Sequence, residues 1–210
     1  MADARLAGRR SARAARIALL VASMLVLRAS NTFAASAGPQ PAVTGAPAIA
    51  GQAAESLCIQ CHNQFPANPD GDGSITIDGV PPKYEPGKTY TLTVHLAHKD
   101  AKVLRWGFQM TAIAMSDGSG AGEFSSDGAT TQVLPAAMGT RSYIEHNYGG
   151  TAIGQTGGTS WTFDWKAPAA RIGRIGFFAA GNCANADGSN QGDRIYTHSP
   201  APIAETSAGS

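Results

Sequence analysis

Cys58-Ile59-Gln60-Cys61-His62 carries the most specific chemistry in the chain. C-x-x-C-H is the pattern for covalent attachment of a c-type haem. Two thiols with a two-residue gap match the separation of the two haem vinyl groups, and the adjacent His then lies under the iron as proximal imidazole. On this reading Cys58 and Cys61 form the thioethers, His62 is the proximal ligand, and the chain holds one haem c. The same residues leave other chemistry open. Cys58 and Cys61 are able to close a local disulfide in an oxidising compartment. A zinc site would draw further ligands from elsewhere, such as Cys183 and a His. A redox-active dithiol calls for a thioredoxin-like setting that the sequence lacks. Cys183 is a third, odd cysteine and does not decide between these.

A haem also needs a sixth ligand or an open face. The sequence offers His95, His98, His146 and His198, with Met110, Met115 and Met138. Alternation turns Met110 inward, into a core, and His95 outward, to solvent. His146 ends the run Tyr143-Ile144-Glu145-His146-Asn147, just before Gly149-Gly150, and is the candidate distal ligand. Asp70-Gly71-Asp72-Gly73 lacks the spacing and terminal Glu of a calcium loop, and the Asn/Asp-rich stretch 185–193 reads as a turn. No Ser/His/Asp set, phosphate loop or carboxylate pair stands out, so the chain is expected not to be an enzyme.

The elements that must position these residues follow from composition and period. Net charge is +1, with 15% charged and 43% apolar residues, which excludes a strongly basic nucleic-acid binder while allowing a real core. Arg5, Arg9, Arg10, Arg13 and Arg16 precede an apolar run at 17–27, too short to span a bilayer comfortably. Thr32-Phe33-Ala34 and Ala35-Ser36-Ala37 both suit a signal peptidase. The segmentation is therefore a signal peptide (1–37), a flexible Ala/Pro/Gly-rich lead-in (38–54) and a C-x-x-C-H segment (55–72) with a short helix over 53–62. A β domain (73–198) and a disordered tail (199–210) follow. No second apolar run spans a membrane, and the expected location is periplasmic or extracellular.

From residue 73 onward the period is two. Tyr90, Leu92, Val94 and Leu96 alternate with Thr89, Thr91, Thr93 and His95. Trp106, Phe108, Met110 and Ala112 repeat the pattern, as do Trp161, Phe163 and Trp165. Further strands are expected at 142–146, 172–180 and 194–197, with Gly and Pro pairs between them. About seven short strands at this spacing make an all-β, antiparallel sandwich preceded by a short helix carrying C-x-x-C-H.

Several runs together resemble the bacterial Reeler-like domain of exported, variously anchored proteins. They are Tyr84-Glu85-Pro86-Gly87-Lys88-Thr89-Tyr90, Arg105-Trp106-Gly107-Phe108-Gln109, Tyr143-Ile144-Glu145-His146, Trp161-Thr162-Phe163-Asp164-Trp165 with Ala167-Pro168, and Gly192-Asp193-Arg194-Ile195-Tyr196-Thr197. The resemblance implies an immunoglobulin-like sandwich with C-x-x-C-H just before its first strand, and a His at the position of His146. Cys183 departs from it, standing where a small apolar residue is expected, and no apolar anchor follows Ala201-Pro202-Ile203. Two functions follow as expectations. One is a monohaem electron-transfer or haem-sensing protein whose partners are extracytoplasmic redox proteins. The other is a non-haem adhesion or ligand-binding module with a Cys58–Cys61 disulfide, whose partners are cell-surface components.

Overall fold

The computed structural model describes residues 35–135 and 141–207. The basic and apolar parts of the expected signal peptide, and Met138, lie outside the described residues.

Eleven strands run in chain order as Gly73–Asp78 (β1), Lys83–Tyr84 (β2), Thr89–His98 (β3), Arg105–Ala114 (β4), Glu123–Ser125 (β5), Thr131–Leu134 (β6), Tyr143–His146 (β7), Gly158–Lys166 (β8), Ile175–Ala184 (β9), Arg194–His198 (β10) and Ala204–Glu205 (β11). They form a four-stranded sheet, β1-β3-β8-β5, and a five-stranded sheet, β10-β9-β4-β7-β6. Every pairing within these two sheets is antiparallel. The architecture is thus the expected all-β antiparallel sandwich.

The core lies between the sheets and is aromatic. Phe108 of β4 stacks on Trp161 of β8 at 4.5 Å between centroids, and Trp165 meets Phe177 of β9 edge-on at 4.9 Å. Buried indole N–H groups need acceptors. Trp106, Trp161 and Trp165 find them in the carbonyls of Gln155, Gly150 and Ala121, each at 2.8–2.9 Å. Each acceptor lies between strands, Gly150 in the 3-10 turn Tyr148–Thr151, so the aromatic layer also fixes the connections around it.

The two sheets differ on their outer faces. Along β8 the outward residues Ser160, Thr162, Asp164 and Lys166 are exposed, as period two requires. Along β4 the outward residues Gly107, Gln109, Thr111 and Ile113 are buried as deeply as the inward ones. What covers them is the stretch expected to be a flexible lead-in. It is docked instead. The Val43 N–H donates to Gln109 Oε1 at 3.0 Å, Thr44 bridges Leu57, and Val43 and Ala46 are buried. Glu55 anchors the far end: its carboxylate accepts from Arg141 Nη1 (2.8 Å), Tyr143 OH (2.8 Å) and Thr44 Oγ1 (2.5 Å).

Two further expectations are corrected. The helix over 53–62 contracts to a single 3-10 turn, Cys58–Gln60, because the Thr44 bridge holds Leu57 extended. The tail, expected to be disordered from 199, is pinned as far as Thr206. Ile203 is buried and exchanges both main-chain hydrogen bonds with Ile175 at 2.9 Å, and Thr206 N–H donates to the Tyr84 carbonyl at 2.8 Å.

Truncating a buried aromatic costs about 3–5 kcal/mol. Trp161→Ala should lower the unfolding free energy by about that amount in denaturant melts. Glu55→Ala leaves Arg141 buried without its partner, which costs about 3–5 kcal/mol where such a pair is fully buried. It should also make the 43–57 segment the first site cut in limited proteolysis.

Candidate functional site

The C-x-x-C-H residues sit in one tight turn on the outer face of the five-stranded sheet. The Cys58 carbonyl accepts from both the Cys61 N–H (3.2 Å) and the His62 N–H (3.1 Å), which places both thiols on the same turn. Cys58 faces inward, its Sγ 3.8 Å from the Val43 carbonyl, and burial pushes its thiol up to about 12. Cys61 faces solvent. All three cysteines are unpaired.

The β9–β10 hairpin holds this turn in place. Asn190 donates to the Cys61 carbonyl, and the Gly192 N–H donates to Gln64 Oε1. Further along, the Asn68 N–H donates to the Ile195 carbonyl at 2.8 Å, and Phe65 lies under the Arg194 guanidinium at 4.9 Å.

The chemically decisive contact is His62 Nδ1 to Asp193 Oδ2 at 2.7 Å. Asp193 is only 1% exposed. It also accepts from the Asn185 N–H at 3.2 Å and from Asn182 Nδ2 at 3.4 Å. An imidazole that donates through Nδ1 carries its lone pair on Nε2. A buried carboxylate behind the ring fixes that tautomer and the orientation of the ring, as carboxylates behind metal-ligating histidines do. The sequence reading passed over Asp193, although the Asn/Asp-rich run that contains it was visible.

His146 is placed near His62 but spent differently. Gly107 of β4 is the cross-strand partner of Asn182 on β9, and Asn182 Nδ2 lies 3.4 Å from the His62 ring. The His146 ring packs directly on Gly107, where a Cβ would collide with it. The two imidazoles therefore flank one cross-strand pair on one sheet face. His146 Nδ1, however, is tied to the main chain of Phe108 at 3.1–3.2 Å, and the ring lies against the Ala35 backbone. Burial pushes its pKa down. It stands as a satisfied buried histidine, and ligation through it would require the 35–38 segment to move away.

The other candidates scatter. His95 pairs with Asp78 at 3.2 Å on the exposed face. His98 is buried, its Nδ1 accepting from the Asp100 N–H at 3.0 Å. His198 borders a cleft of about 290 Å3 with Pro47, Leu57, Phe178 and Thr197. Met110 is in the core, as expected. Cys183 is buried in the core cluster while Cys61 faces solvent, and no group of three or more His, Cys, Asp or Glu is arranged for a metal among the described residues. A zinc site from Cys58, Cys61 and Cys183 is thereby removed.

Glu145 was also missed. It occupies an outward position on β7, yet it is 1% exposed. Gln109 and Gln132 each donate an amide hydrogen to its carboxylate at 2.8 Å. Neutral amides do not offset the desolvation, and burial pushes its pKa up to about 7.

A c-type haem would draw on two thiols and one imidazole here. The thiols share one turn, and the buried Asp193 carboxylate holds His62 Nδ1, which leaves the lone pair on Nε2, with Asn182 Nδ2 3.5 Å from it, so the donor types fit. The polar neighbours Asn182, Asn190 and Gln64 supply no apolar wall on the hairpin side; apolar surface near the turn comes from Leu57 and Phe178 in the cleft.

No protein-family model matches the chain, and no curated protein matches it. Solved structures do show likeness. The human F-spondin reeler domain is 20% identical, with 71% of this chain and 99% of that chain covered and a TM-score of 0.44. The Reelin-N domain of F-spondin is 22% identical, with coverage of 70% and 96% and a TM-score of 0.44. A cohesin module of a Clostridium perfringens family 33 glycoside hydrolase is 10% identical, with coverage of 64% and 97% and a TM-score of 0.45.

A carboxyl whose folded pKa lies above its unfolded value stabilises the fold fully below the unfolded value and loses that stability as pH rises through the folded one. For Glu145 the window runs from about 4.5 to about 7. Thermal stability should fall across it, by on the order of 3 kcal/mol at most. Glu145→Gln should flatten that part of the profile in pH-dependent melts.

Proposed function

We propose that the chain is a non-catalytic β-sandwich module acting outside the cytoplasm, with the Cys58–His62 turn as its working element, the attachment point of one c-type haem. The observation that supports this most is the buried Asp193 behind His62, which holds the ring proton on Nδ1 and so puts the ring's lone pair on Nε2. Cys58 and Cys61 would hold the group and His62 would be its proximal nitrogen. When bound, the haem supplies a one-electron couple or a site for a diatomic ligand. The chain's own work is positional. Asp193 orients His62, Asn190 and Gln64 lock the turn to the hairpin, and the Val43–Glu55 strap presses it on the sheet. Partners on this reading are extracytoplasmic redox proteins.

A second reading has observations of its own. Cys58 is turned inward, the neighbours of the turn are polar, and the outer face of the four-stranded sheet is an open ladder of Thr91, Thr93, Ser160, Thr162 and Asp164. These suit a non-haem module that binds cell-surface components through that face, with Cys58 and Cys61 closing a local disulfide.

One preparation separates the two. The chain should be matured by export in a host that attaches c-type haem, then examined by visible spectroscopy and intact mass. A Soret band that survives acid–acetone extraction, with one haem added to the mass, is the expected result. A colourless protein that gains two hydrogens on reduction would establish the second reading and discard the first.

A further inference from the structure

Residues 35–38 are read by the sheet as a bound peptide would be. They form a turn closed by the Gly38 N–H donating to the Ala35 carbonyl at 3.1 Å. Each of the first three residues then meets its own side chain. The Ala35 backbone lies against the His146 ring, Ser36 Oγ accepts from Arg105 Nη1 at 3.0 Å, and the Ala37 carbonyl accepts from Gln132 Nε2 at 2.7 Å. The fourth position admits only glycine. Gly38 has φ +115°, and a Cβ there would collide with Glu145 Oε1. Two residues on, the Gln40 carbonyl accepts from Gln109 Nε2 at 3.0 Å. Side chains of β4, β6 and β7 thus recognise a tetrapeptide in one register, at a place where composition suggests only a loose leader junction.

Two bonds in this region suit a signal peptidase, one after Ala34 and one after Ala37. Their structural consequences differ. A cut after Ala37 discards all three residues, removes the acceptors that Arg105 and Gln132 use and uncovers the His146 ring. A cut after Ala34 keeps every contact. It also lies seven residues beyond the apolar run that ends at Leu27, a short polar spacing of the kind a cleavage region shows.

We infer that the peptide bond between Ala34 and Ala35 is the processing site, and that the new N-terminal tetrapeptide 35–38 is a self-ligand seated over His146. Hydrolysis adds one water across that bond, giving a carboxylate on Ala34 and an α-amine on Ala35. The inference rests on the export reading and adds a function to the processed end. The seat is built for Ala-Ser-Ala-Gly, and its occupancy decides whether His146 is sealed or open to a ligand.

The test has two arms. Intact mass of the exported protein should place its first residue at Ala35. A first residue at Gly38, or anywhere else past residue 30, would overturn the assignment while leaving export intact. A chain still beginning at Met1 would remove the export reading and the inference with it. In the second arm, chains starting at Ala35 and at Gly38 are released from a cleavable fusion. Their melting temperatures are compared, together with acylation of His146 by diethyl pyrocarbonate, read by peptide mass. The Ala35 chain should melt several degrees higher and its His146 should react at least tenfold more slowly. Equal melting and equal reactivity would overturn the seat. Should the shorter chain not fold, Gly38→Ala in the Ala35 chain serves instead. It should open His146 to acylation, and protection unchanged from the parent would equally overturn the seat.

Discussion

A sheet covered on both faces has no water for its outer polar groups, and that constraint governs the half of this molecule that carries the chemistry. β4 is buried along its inner and outer residues alike. Gln109, Thr111, Glu145 and His146 therefore each need partners from the chain itself. Gln109 finds them in the segment laid over the sheet, the Val43 N–H and the Gln40 carbonyl, while Thr111 donates to the Ser142 carbonyl, Glu145 accepts from Gln109 and Gln132, and His146 holds to the Phe108 main chain. The Cys58–His62 turn follows that strap and is held to the β9–β10 hairpin by Asn190, Gly192 and Asp193.

The part of the fold legible in the sequence is the part where burial is one-sided. Along β3 and β8 the alternation of apolar and polar residues states which face is wet, and both strands were read directly. Alternation no longer marks the wet face where a second layer is added. Gln109 and Glu145 look like solvated outward residues, because period two carries no sign of a strap above them. The strap hides for a related reason. Its Ala, Pro and Gly composition suits a linker, and only Val43 and Ala46 are buried apolar anchors within it. The tail behaves alike: Ile203 is its one buried apolar anchor among the described residues, and main-chain hydrogen bonds to Ile175 and Tyr84 hold the rest. The 53–62 helix failed on a long-range contact, the Thr44–Leu57 bridge, which no local propensity encodes.

The candidate site was legible as a pattern and illegible as an environment. Cys58, Cys61 and His62 announce themselves by spacing. Asp193, which gives His62 its orientation, lies 131 residues away in a run that reads as a turn; it is a turn, with one carboxylate directed back at the ring. His146 was singled out for the glycines after it. The glycine that matters is Gly107, whose missing side chain admits the imidazole, while Gly150 packs against Thr130 and offers its carbonyl to Trp161. The same bareness that suggested a cofactor seat is used to bury the histidine.

The stretch that follows His62 also occupies a sheet edge. β10 is the terminal strand of its sheet, and an unpaired strand edge is a template on which another copy can add. Asn68 fills part of that edge by imitating a strand residue. Its N–H donates to the Ile195 carbonyl, its Oδ1 accepts from the Thr197 N–H, and its Nδ2 donates to Thr197 Oγ1. The residues that present the reactive turn are thus continuous with the residues that keep β10 from zipping onto a neighbour. Any event that lifts the turn away, whether reduction, a poorly attached group or a lost Asp193, unveils a ready strand. Solubility and cofactor chemistry in this chain share one short length of backbone.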